Sequence, residues 1–260
     1  MHDIAVRQRA VALCRQGRSN AEISRQLSVP RGTVGWWKHR DLAKHGTLPG
    51  RKRSTCLRCY GDPINQPAYT YLLGLYLGDG HILHSKQSRV PHMTITCDDH
   101  WPGVMDEVEQ AIRQVLPTNS PCRVRRAGCH DVKVYSMHLA CHFPQHGPGV
   151  KHRRLIALEP WQQDLVDAHP WQLIRGLIHS DGCRITNWTV RTVDGRPKRY
   201  EYPRYIFSNT STDIIRIFTN TLDSVGIQWT SAARSFSRTN ISIARKASVA
   251  LLDEHVGPKY

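Results

Sequence analysis

Two stretches of the sequence share one pattern of glycine, leucine and aspartate. Residues 72–80 read L-L-G-L-Y-L-G-D-G, and residues 173–182 read L-I-R-G-L-I-H-S-D-G. Both are apolar runs that end in Asp-Gly, and their aspartates, Asp79 and Asp181, lie 102 positions apart (181 − 79). A single helix ending in Asp-Gly occurs by chance in many folds, so the weight of the pattern depends on whether the residues after each copy are also similar.

The residues after each copy repeat the same order of patterns. Residues 93–99 (MTITCDD) and 204–213 (RYIFSNTSTD) are typical of strands, and each precedes an amphipathic helix pattern. Hairpin-like stretches come next, RVRRAGCHDVKVYS in the first half and TSAARSFSRTNISIAR in the second. The halves close on HGPGVKH and HVGPKY. An internal duplication explains this order better than coincidence does.

Each duplicated unit reads helix, two strands, helix, two strands, helix. We therefore predict an α+β fold with two pseudo-symmetric αββαββα repeats, at residues 69–152 and 171–260. An inter-repeat linker is expected at 153–170. The paired hairpins of the two repeats are expected to form a long saddle.

The first helix of each repeat carries small residues four positions apart. These are Gly74 and Gly78 in the first copy and Gly176 and Ser180 in the second. Such a stripe lies on one helix face, so two of these helices can approach closely side by side. Their ends then lie at one point.

This arrangement predicts that Asp79 and Asp181 meet. The glycines next to them, Gly80 and Gly182, are free to adopt the left-handed conformation that ends many helices. The negative ends of two helix dipoles add to the charge of the two carboxylates, and a divalent cation is the natural partner for that charge.

At these residues the chain resembles the LAGLIDADG homing endonuclease family in its single-chain, two-repeat form, over roughly residues 68–260. The resemblance implies that Asp79 and Asp181 bind Mg2+ and that each serves one DNA strand. The preceding acidic position of the family motif is Leu77 in one copy and His179 in the other. Departures there do not by themselves remove the metal site.

Lysines near the last strands are the usual second component of such a site. Lys246 follows the strand pattern NISIAR, and Lys133 lies on the hairpin of the first half, although Ser136 is an alternative counterpart of Lys246. Polarising water or phosphate and simply contacting phosphate are equally good roles for these lysines. Arginines of the saddle are candidates for DNA contact: Arg123, Arg125, Arg126, Arg191, Arg204, Arg234 and Arg238.

Residues 1–45 match a helix-turn-helix pattern, which predicts a small all-α domain ahead of the repeats. Ser19 and Glu22 form a capping box for the second helix. The residues expected to fill the core are Ile23, Leu27, Val29 and Val34. Those expected to face DNA are Arg31, Thr33, Trp36 and Lys38. A three-helix unit that binds protein is the alternative.

Composition favours a nucleic-acid partner. Lys and Arg outnumber Asp and Glu by 36 to 21, which gives a formal charge of +15. No apolar run approaches the roughly 20 residues of a membrane helix. The basic run Arg51-Lys52-Arg53 is expected to follow a phosphate backbone.

Cysteine usage indicates a reducing compartment, so we expect a cytoplasmic protein. Cys56 and Cys59 form a C-x-x-C in a basic linker at 46–68. A structural Zn2+ site, a redox pair and idle thiols all stay open, because tetrahedral zinc needs two more ligands. The candidates for these are Cys122, Cys129, His130 and Cys141.

Two functions fit the sequence. The first is a Mg2+-dependent, site-specific endonuclease that acts on double-stranded DNA, as a monomer with internal pseudo-two-fold symmetry. The second is a DNA-binding transcriptional regulator that keeps the fold without cleaving. Both carboxylates favour the nuclease, whereas the attached helix-turn-helix favours the regulator.

Overall fold

The computed structural model describes residues 2–45, 56–84, 90–233 and 239–260. The chain divides into two units, Met1–Arg53 and Ser54–Tyr260. The predicted DNA contacts at Arg51, Lys52, Arg53, Arg234 and Arg238 lie outside the described residues, as do residues 46–55 of the predicted basic linker. The boundary at residue 45 therefore stays a prediction.

The N-terminal unit consists of three helices. They are α1 (Ile4–Arg15), α2 (Asn20–Leu27) and α3 (Arg31–Lys44). Ser19 and Glu22 form the predicted capping box, in which the Ser19 hydroxyl accepts from the Glu22 N–H and the Glu22 carboxylate accepts from the Ser19 N–H. The core consists of Ala10, Ile23, Val29, Val34 and Trp37, with Leu27 packed at its margin.

The second unit contains the two predicted repeats. After a short helix α4 (Leu57–Tyr60), the first repeat runs through α5 (Gln66–Gly78), β1 (His81–Leu83), β2 (His92–Asp98), α6 (Pro102–Val115), β3 (Cys122–Arg126), β4 (Cys129–Tyr135) and α7 (Leu139–His142). The second runs through α9 (Pro170–Asp181), β5 (Gly182–Val193), β6 (Arg196–Asn209), α10 (Thr212–Ser224), β7 (Thr230–Ala233), β8 (Thr239–Ile243) and α11 (Lys246–His255). The αββαββα order is thus confirmed in both halves.

Each repeat forms one antiparallel sheet of four strands. The orders, β1-β2-β4-β3 and β5-β6-β8-β7, are equivalent. One face of each sheet packs on helices: Ile95 and Val132 are buried in the first repeat, and Phe207 and Ile241 in the second. The opposite face, which we call the outer face, carries the alternate residues along each strand.

The segment between the repeats is not a bare linker. Residues 153–170 include a further helix, α8 (Pro160–Ala168), with proline in its first turn and a capping box between Glu159 and Gln162. Leu165 and Val166 of this helix are buried in the common core. Among the described residues, no helix is both long and apolar enough to cross a membrane.

Candidate active site at the ends of two helices

The two repeats meet through helices α5 and α9, which we call the motif helices. A Cβ atom on Gly74 would lie 2.6 Å from the carbonyl oxygen of Leu173 and 2.9 Å from the Cα of Gly176. A Cβ on Gly176 would overlap the carbonyl oxygen of Tyr71. The helices therefore touch backbone to backbone, as the spacing of small residues predicts.

The glycines after the aspartates serve a different purpose from the predicted one. Neither Gly80 nor Gly182 has a positive φ; Gly182 is extended at φ −108°, ψ 170°. A Cβ on Gly80 would lie 2.5 Å from the Cα of Tyr76, and one on Gly182 would lie 2.7 Å from the Cα of Ile178. Glycine is required because the chain turns back against its own helix, and the expected left-handed cap is wrong.

Asp79 and Asp181 lie at equivalent ends of the motif helices. A Cβ on Gly78, beside Asp79, would lie 3.2 Å from Oδ2 of Asp181, so the two ends are adjacent. Asp79 reaches solvent, yet it sits in a concavity of protein atoms. The resulting desolvation raises its pKa to about 6, and the charge of Asp181 acts in the same direction.

A lysine binds the end of each motif helix. Nζ of Lys151 donates to the carbonyl oxygens of Tyr76, Leu77 and Gly78 at 2.5, 3.0 and 3.0 Å. Nζ of Lys259 donates to the carbonyl oxygen of Ser180 at 2.9 Å. Carbonyls in the last turn of a helix have no hydrogen-bond donor within the helix, and the lysines supply one. Their positive charge also stabilises the negative end of each helix dipole.

The two lysines occupy equivalent places because each ends its repeat in a related string, GPGVK and VGPK. Burial lowers the pKa of Lys151 to about 8, and the charges of Asp181 and Asp79 oppose that change. Burial also lowers the pKa of Lys259. Two positive charges therefore lie close to two carboxylates.

Each aspartate shares a cavity with the lysine of the other repeat. One cavity of about 230 Å³, which we call the Asp181 cavity, is lined by Asp181, Asn209 and Lys151. The other, of about 380 Å³, is the Asp79 cavity, lined by Asp79, Cys97 and Lys259 among others. Completing either cavity thus requires both repeats.

The two cavities differ in one chemically important position. In the Asp181 cavity, Nδ2 of Asn209 donates to Oδ2 of Asp181 at 2.7 Å. The equivalent of Asn209, judged from the paired strands β1–β2 and β5–β6, is Cys97. Burial raises the pKa of this thiol to about 12. Asp181 is therefore held by an amide, whereas Asp79 shares its cavity with a neutral thiol.

His179, at the degenerate motif position, belongs to the interior. Its Nδ1 lies 2.9 Å from the hydroxyl of Tyr71 and 3.7 Å from Oε2 of Glu107. Burial lowers the pKa of His179 to about 4, so the ring is neutral at physiological pH. Arg175 binds the same Glu107 at 2.6 Å. This polar network joins the motif helices to α6.

The two strand lysines predicted from the sequence are not equivalent. Lys133 lies within β4 opposite Thr94, and the residue at the same register in the second sheet is Ser242. Lys246 is instead the first residue of α11, where it lines a surface cavity with Asp253. Lys133 is on the outer face, and its Nζ lies 3.4 Å from Oδ2 of Asp131.

The strand register also shows on which face of the first sheet each predicted arginine lies. Arg123 pairs with buried Val132 and therefore belongs to the helix side, where it binds Glu109 at 2.8 Å. Arg125 shares that face. Arg126 is on the outer face, where its Nη2 lies 2.6 Å from Oδ2 of Asp131.

In the second sheet the outer face is strongly basic. Arg204 lies on it because it is two positions from Ile206 along β6, and its partner on β5 is Ile185. Arg191 lies on it because it pairs with Lys198, which is eight positions from Ile206. Four of the six Lys and Arg of the hairpin β5–β6 lie on the outer face: Arg191, Arg196, Lys198 and Arg204. A cation also stacks on an exposed ring of this face: Nζ of Lys198 lies 5.5 Å from the ring centre of Tyr200.

Among the predicted contacts of the N-terminal unit, Arg31 and Trp36 are exposed, and Thr33 and Lys38 are half-buried. The ring of Trp36 is covered on one side by Arg40, at 4.8 Å. Arg31, Thr33 and Trp36 precede the buried Trp37 on α3, and Lys38 follows it. Their role in binding DNA stays a prediction.

Several residues of the site are not evident from the sequence pattern. Lys151 and Lys259 stand in the repeated closing strings, so aligning the ends of the halves could reveal them. Asn209 can be found only from strand register. Of the candidate zinc partners, Cys141 lies beside Cys56 and Cys59, together with His138, which the sequence did not suggest as a ligand. Cys122, Cys129 and His130 are not part of that group.

Neither a protein-family model nor a curated protein matches the sequence. Solved structures do match. The homing endonuclease I-DmoI in complex with DNA and Mn has 14% identity and a TM-score of 0.46, covering 75% of this chain and 98% of that chain. The LAGLIDADG meganuclease I-AabMI bound to uncleaved DNA has 11% identity and a TM-score of 0.47, covering 72% and 83%.

A third similar structure is the N-terminal LAGLIDADG domain of WhiA. It has 11% identity and a TM-score of 0.47, covering 78% of this chain and 87% of that chain. The structural neighbours are therefore LAGLIDADG proteins, as the sequence resemblance predicts. At these identities the likeness concerns the fold and leaves function to the site itself.

Proposed function

We propose that this protein binds double-stranded DNA across the outer faces of its two sheets and hydrolyses phosphodiester bonds with Mg2+ held by Asp79 and Asp181. The observation that carries the proposal is the meeting of these two carboxylates at adjacent helix ends. Two carboxylates held next to each other in a concavity repel one another, and perturbed carboxylates of this kind cluster at functional sites.

The residues fit a hard divalent cation. Mg2+ prefers oxygen ligands and is commonly held by one or two carboxylates together with water and phosphate oxygens. The raised pKa of Asp79 reflects the unfavourable charge that a bound cation would offset. When bound, the metal would activate water and neutralise charge on the phosphate.

The protein's own part is to hold the two aspartates in place. Lys151 and Lys259 fasten the helix ends that carry Asp79 and Asp181. Asn209 orients the Asp181 carboxylate by donating an amide N–H to it. The positive charges of Lys259 and Lys151 lower the pKa of Asp79 and so oppose the rise that burial causes.

Affinity for DNA would come from the outer face. Arg126, Lys133, Arg191 and Arg204 lie on that face, and the chain carries a formal charge of +15. Contacts of this kind position the phosphate backbone and weaken with salt. The N-terminal unit, through Arg31 and Trp36 on α3, is proposed as a second DNA contact.

The experiment selects bound sequences from a randomised duplex library and then assays their cleavage with Mg2+. Wild type is compared with Asp79→Asn and Asp181→Asn, and with Asp164→Asn, an exposed residue of α8, as a matched control. Wild type and the control should cut, whereas the two site variants should bind and not cut. If wild type binds a selected site tightly but never cuts it, the nuclease proposal fails.

A second candidate, a DNA-binding regulator that does not cleave, is favoured by one observation. Lys151 directs its ammonium group at three backbone carbonyls, and the strand lysine of the first repeat is replaced by Ser242 in the second. A regulator needs the DNA-binding saddle, but it does not need a lysine that is free to contact the phosphate to be cleaved. If this candidate is correct, the two aspartate variants keep specific binding and wild type shows no cleavage.

A further inference from the structure

Four metal-binding side chains converge at the start and end of the first repeat, away from the two aspartates. They are Cys56 and Cys59, which flank the first turn of α4, and His138 and Cys141, which belong to the first turn of α7. One ligand atom from each lies within 4.8 Å of all the others. We propose that this four-ligand cluster binds one structural Zn2+.

The chain around Cys56 is shaped like a metal-binding turn. The backbone N–H of Cys59 donates to Sγ of Cys56 at 3.3 Å, which is an interaction that stabilises a thiolate. The N–H of Cys56 itself donates to Oδ2 of Asp62 at 2.9 Å. Gly61 ends α4 in the left-handed conformation at φ +67°, and the two sulfurs lie within 4.8 Å of each other.

The second pair of ligands comes from one helical turn. His138 is the N-cap of α7, and Cys141 lies three residues later, so both side chains project from neighbouring positions. Sγ of Cys59 and Sγ of Cys141 are 3.5 Å apart. That separation is far beyond a disulfide bond of about 2.05 Å. It is close to the edge of about 3.8 Å expected for a tetrahedron with Zn–S bonds of about 2.3 Å.

The chemistry of the donors favours zinc over the cation proposed for the aspartates. Three thiolates and one imidazole are soft or intermediate ligands, which suit Zn2+ and not Mg2+. All four positions are supplied by protein, as in closed structural sites. Binding releases the three thiol protons and leaves the imidazole neutral, so the occupied site carries one net negative charge.

The position of the cluster indicates what the metal does. Cys56 and Cys59 precede α5, the motif helix that carries Asp79, whereas α7 leads toward the segment that contains Lys151. A bound ion would therefore join the two ends of the first repeat, across 85 positions of the chain (141 − 56). Closing a loop of that length restricts the unfolded chain strongly and stabilises the folded repeat.

The test measures metal content on the full chain and does not depend on DNA cleavage. Protein purified with a zinc supplement and without chelator is analysed for zinc, as wild type and as Cys59→Ser, Cys141→Ser and His138→Cys. Cys122→Ser, an exposed thiol of β3 outside the cluster, is the matched control. Wild type, the control and His138→Cys should hold about one zinc per chain, since a fourth thiolate replaces imidazole well.

Cys59→Ser and Cys141→Ser should lose most of the zinc. At saturating cobalt, the wild type should show thiolate-to-cobalt charge-transfer absorption that falls by about one third in either variant, because one of three thiolates is lost. Folded wild type with less than half an equivalent of zinc would overturn the proposal. So would a disulfide between Cys59 and Cys141 in protein purified without oxidant, or equal zinc loss in Cys122→Ser.

Discussion

Lys151 of the first repeat and Asp181 of the second line the same cavity, although they belong to opposite halves of the duplicated fold. The equivalent cavity pairs Lys259 with Asp79. Because each site is completed across the boundary, neither repeat contains a whole site of its own. Changes in one half are therefore expected to affect both carboxylates.

Replacement of Asp79 by Asn should raise the stability of the metal-free protein at pH 8. The folded pKa of Asp79, about 6, is above its unfolded value, so ionisation costs stability as pH rises through that range and the cost persists above it. Because solvent screens this side chain, we expect a gain of about 1 kcal/mol and not the full value of the shift.

Chemical denaturation at pH 5 and pH 8, with and without Mg2+, measures this effect. The gain should shrink at low pH, and Mg2+ should stabilise wild type more than the variant. A variant that is less stable than wild type at pH 8 without metal contradicts the inference that the ionised Asp79 carboxylate destabilises the folded protein.

Loss of the half-buried lysines Lys151 and Lys259 should weaken the ends of the motif helices unequally. Lys151→Met removes three hydrogen bonds to carbonyl oxygens and Lys259→Met removes one. Leaving buried carbonyls unpaired costs about 1–3 kcal/mol each, although solvent relieves part of this. We expect a loss of about 3 kcal/mol for Lys151→Met and about 1 kcal/mol for Lys259→Met, read from urea unfolding.

Lys246→Met is the matched control because Lys246 is exposed at the start of α11. It should change the free energy of unfolding by less than about 0.5 kcal/mol. Equal effects of all three substitutions would mean that the carbonyl contacts do not stabilise the helix ends.

Substitution of Gly74 by Ala should destabilise the contact between repeats. The added methyl group would lie 2.6 Å from the Leu173 carbonyl, and a neighbouring backbone cannot move aside cheaply. We expect a loss of about 2–4 kcal/mol, in the range of overpacked cores. Gly147→Ala, where the nearest atom is an Arg154 side-chain carbon at 3.6 Å, should be nearly neutral. A fall in Tm confined to Gly74→Ala checks the prediction.

His179 should make the protein sensitive to acid. Its folded pKa of about 4 is below the unfolded value of about 6.5, so the unfolded chain binds more protons between these values. Stability should therefore fall by about 1 kcal/mol for each pH unit below about 6.5 until the folded pKa is reached. His179→Gln should flatten this slope, whereas His84→Gln, at an exposed histidine, should not.

The stability of both variants and wild type is compared across pH 4–8 by urea unfolding. If the slope of His179→Gln equals that of wild type, the neutral buried imidazole is not the source of acid sensitivity.

The fold was predictable because its signals are local and repeated. Gly74 and Gly176 mark helices that touch, and the alternation around Ile241 marks a strand with one buried face. Helix α8 is not evident from the sequence because its apolar residues lie in a stretch without a repeat partner. The left-handed caps predicted at Gly80 and Gly182 are wrong since a sequence does not distinguish a glycine needed for its φ from one needed for lack of a Cβ.

The site was only partly predictable. Asp79 and Asp181 are expected from the helix pattern alone, but Lys151 acts on a carbonyl more than seventy positions away. The pairing of Lys133 with Lys246 fails because equivalence depends on strand register, which the loop lengths obscure. For the same reason His138 cannot be joined to Cys56 until the fold is known.

If the proposed binding of DNA is correct, the hairpin β5–β6 also limits the kind of DNA sequence that the protein recognises. Its twelve paired residues extend for roughly 40 Å at the usual rise per residue. The described part of its counterpart in the first repeat, β1–β2, pairs over three positions. The whole stretch from Gly182 to Asn209 has 28 residues (209 − 182 + 1), whereas that from His81 to Asp98 has 18 (98 − 81 + 1). Arms built from stretches of such different length are not expected to read two identical half-sites. A ligand laid along them has a distinguishable left and right end, so its recognition sequence is expected to be non-palindromic and to dock in a single orientation.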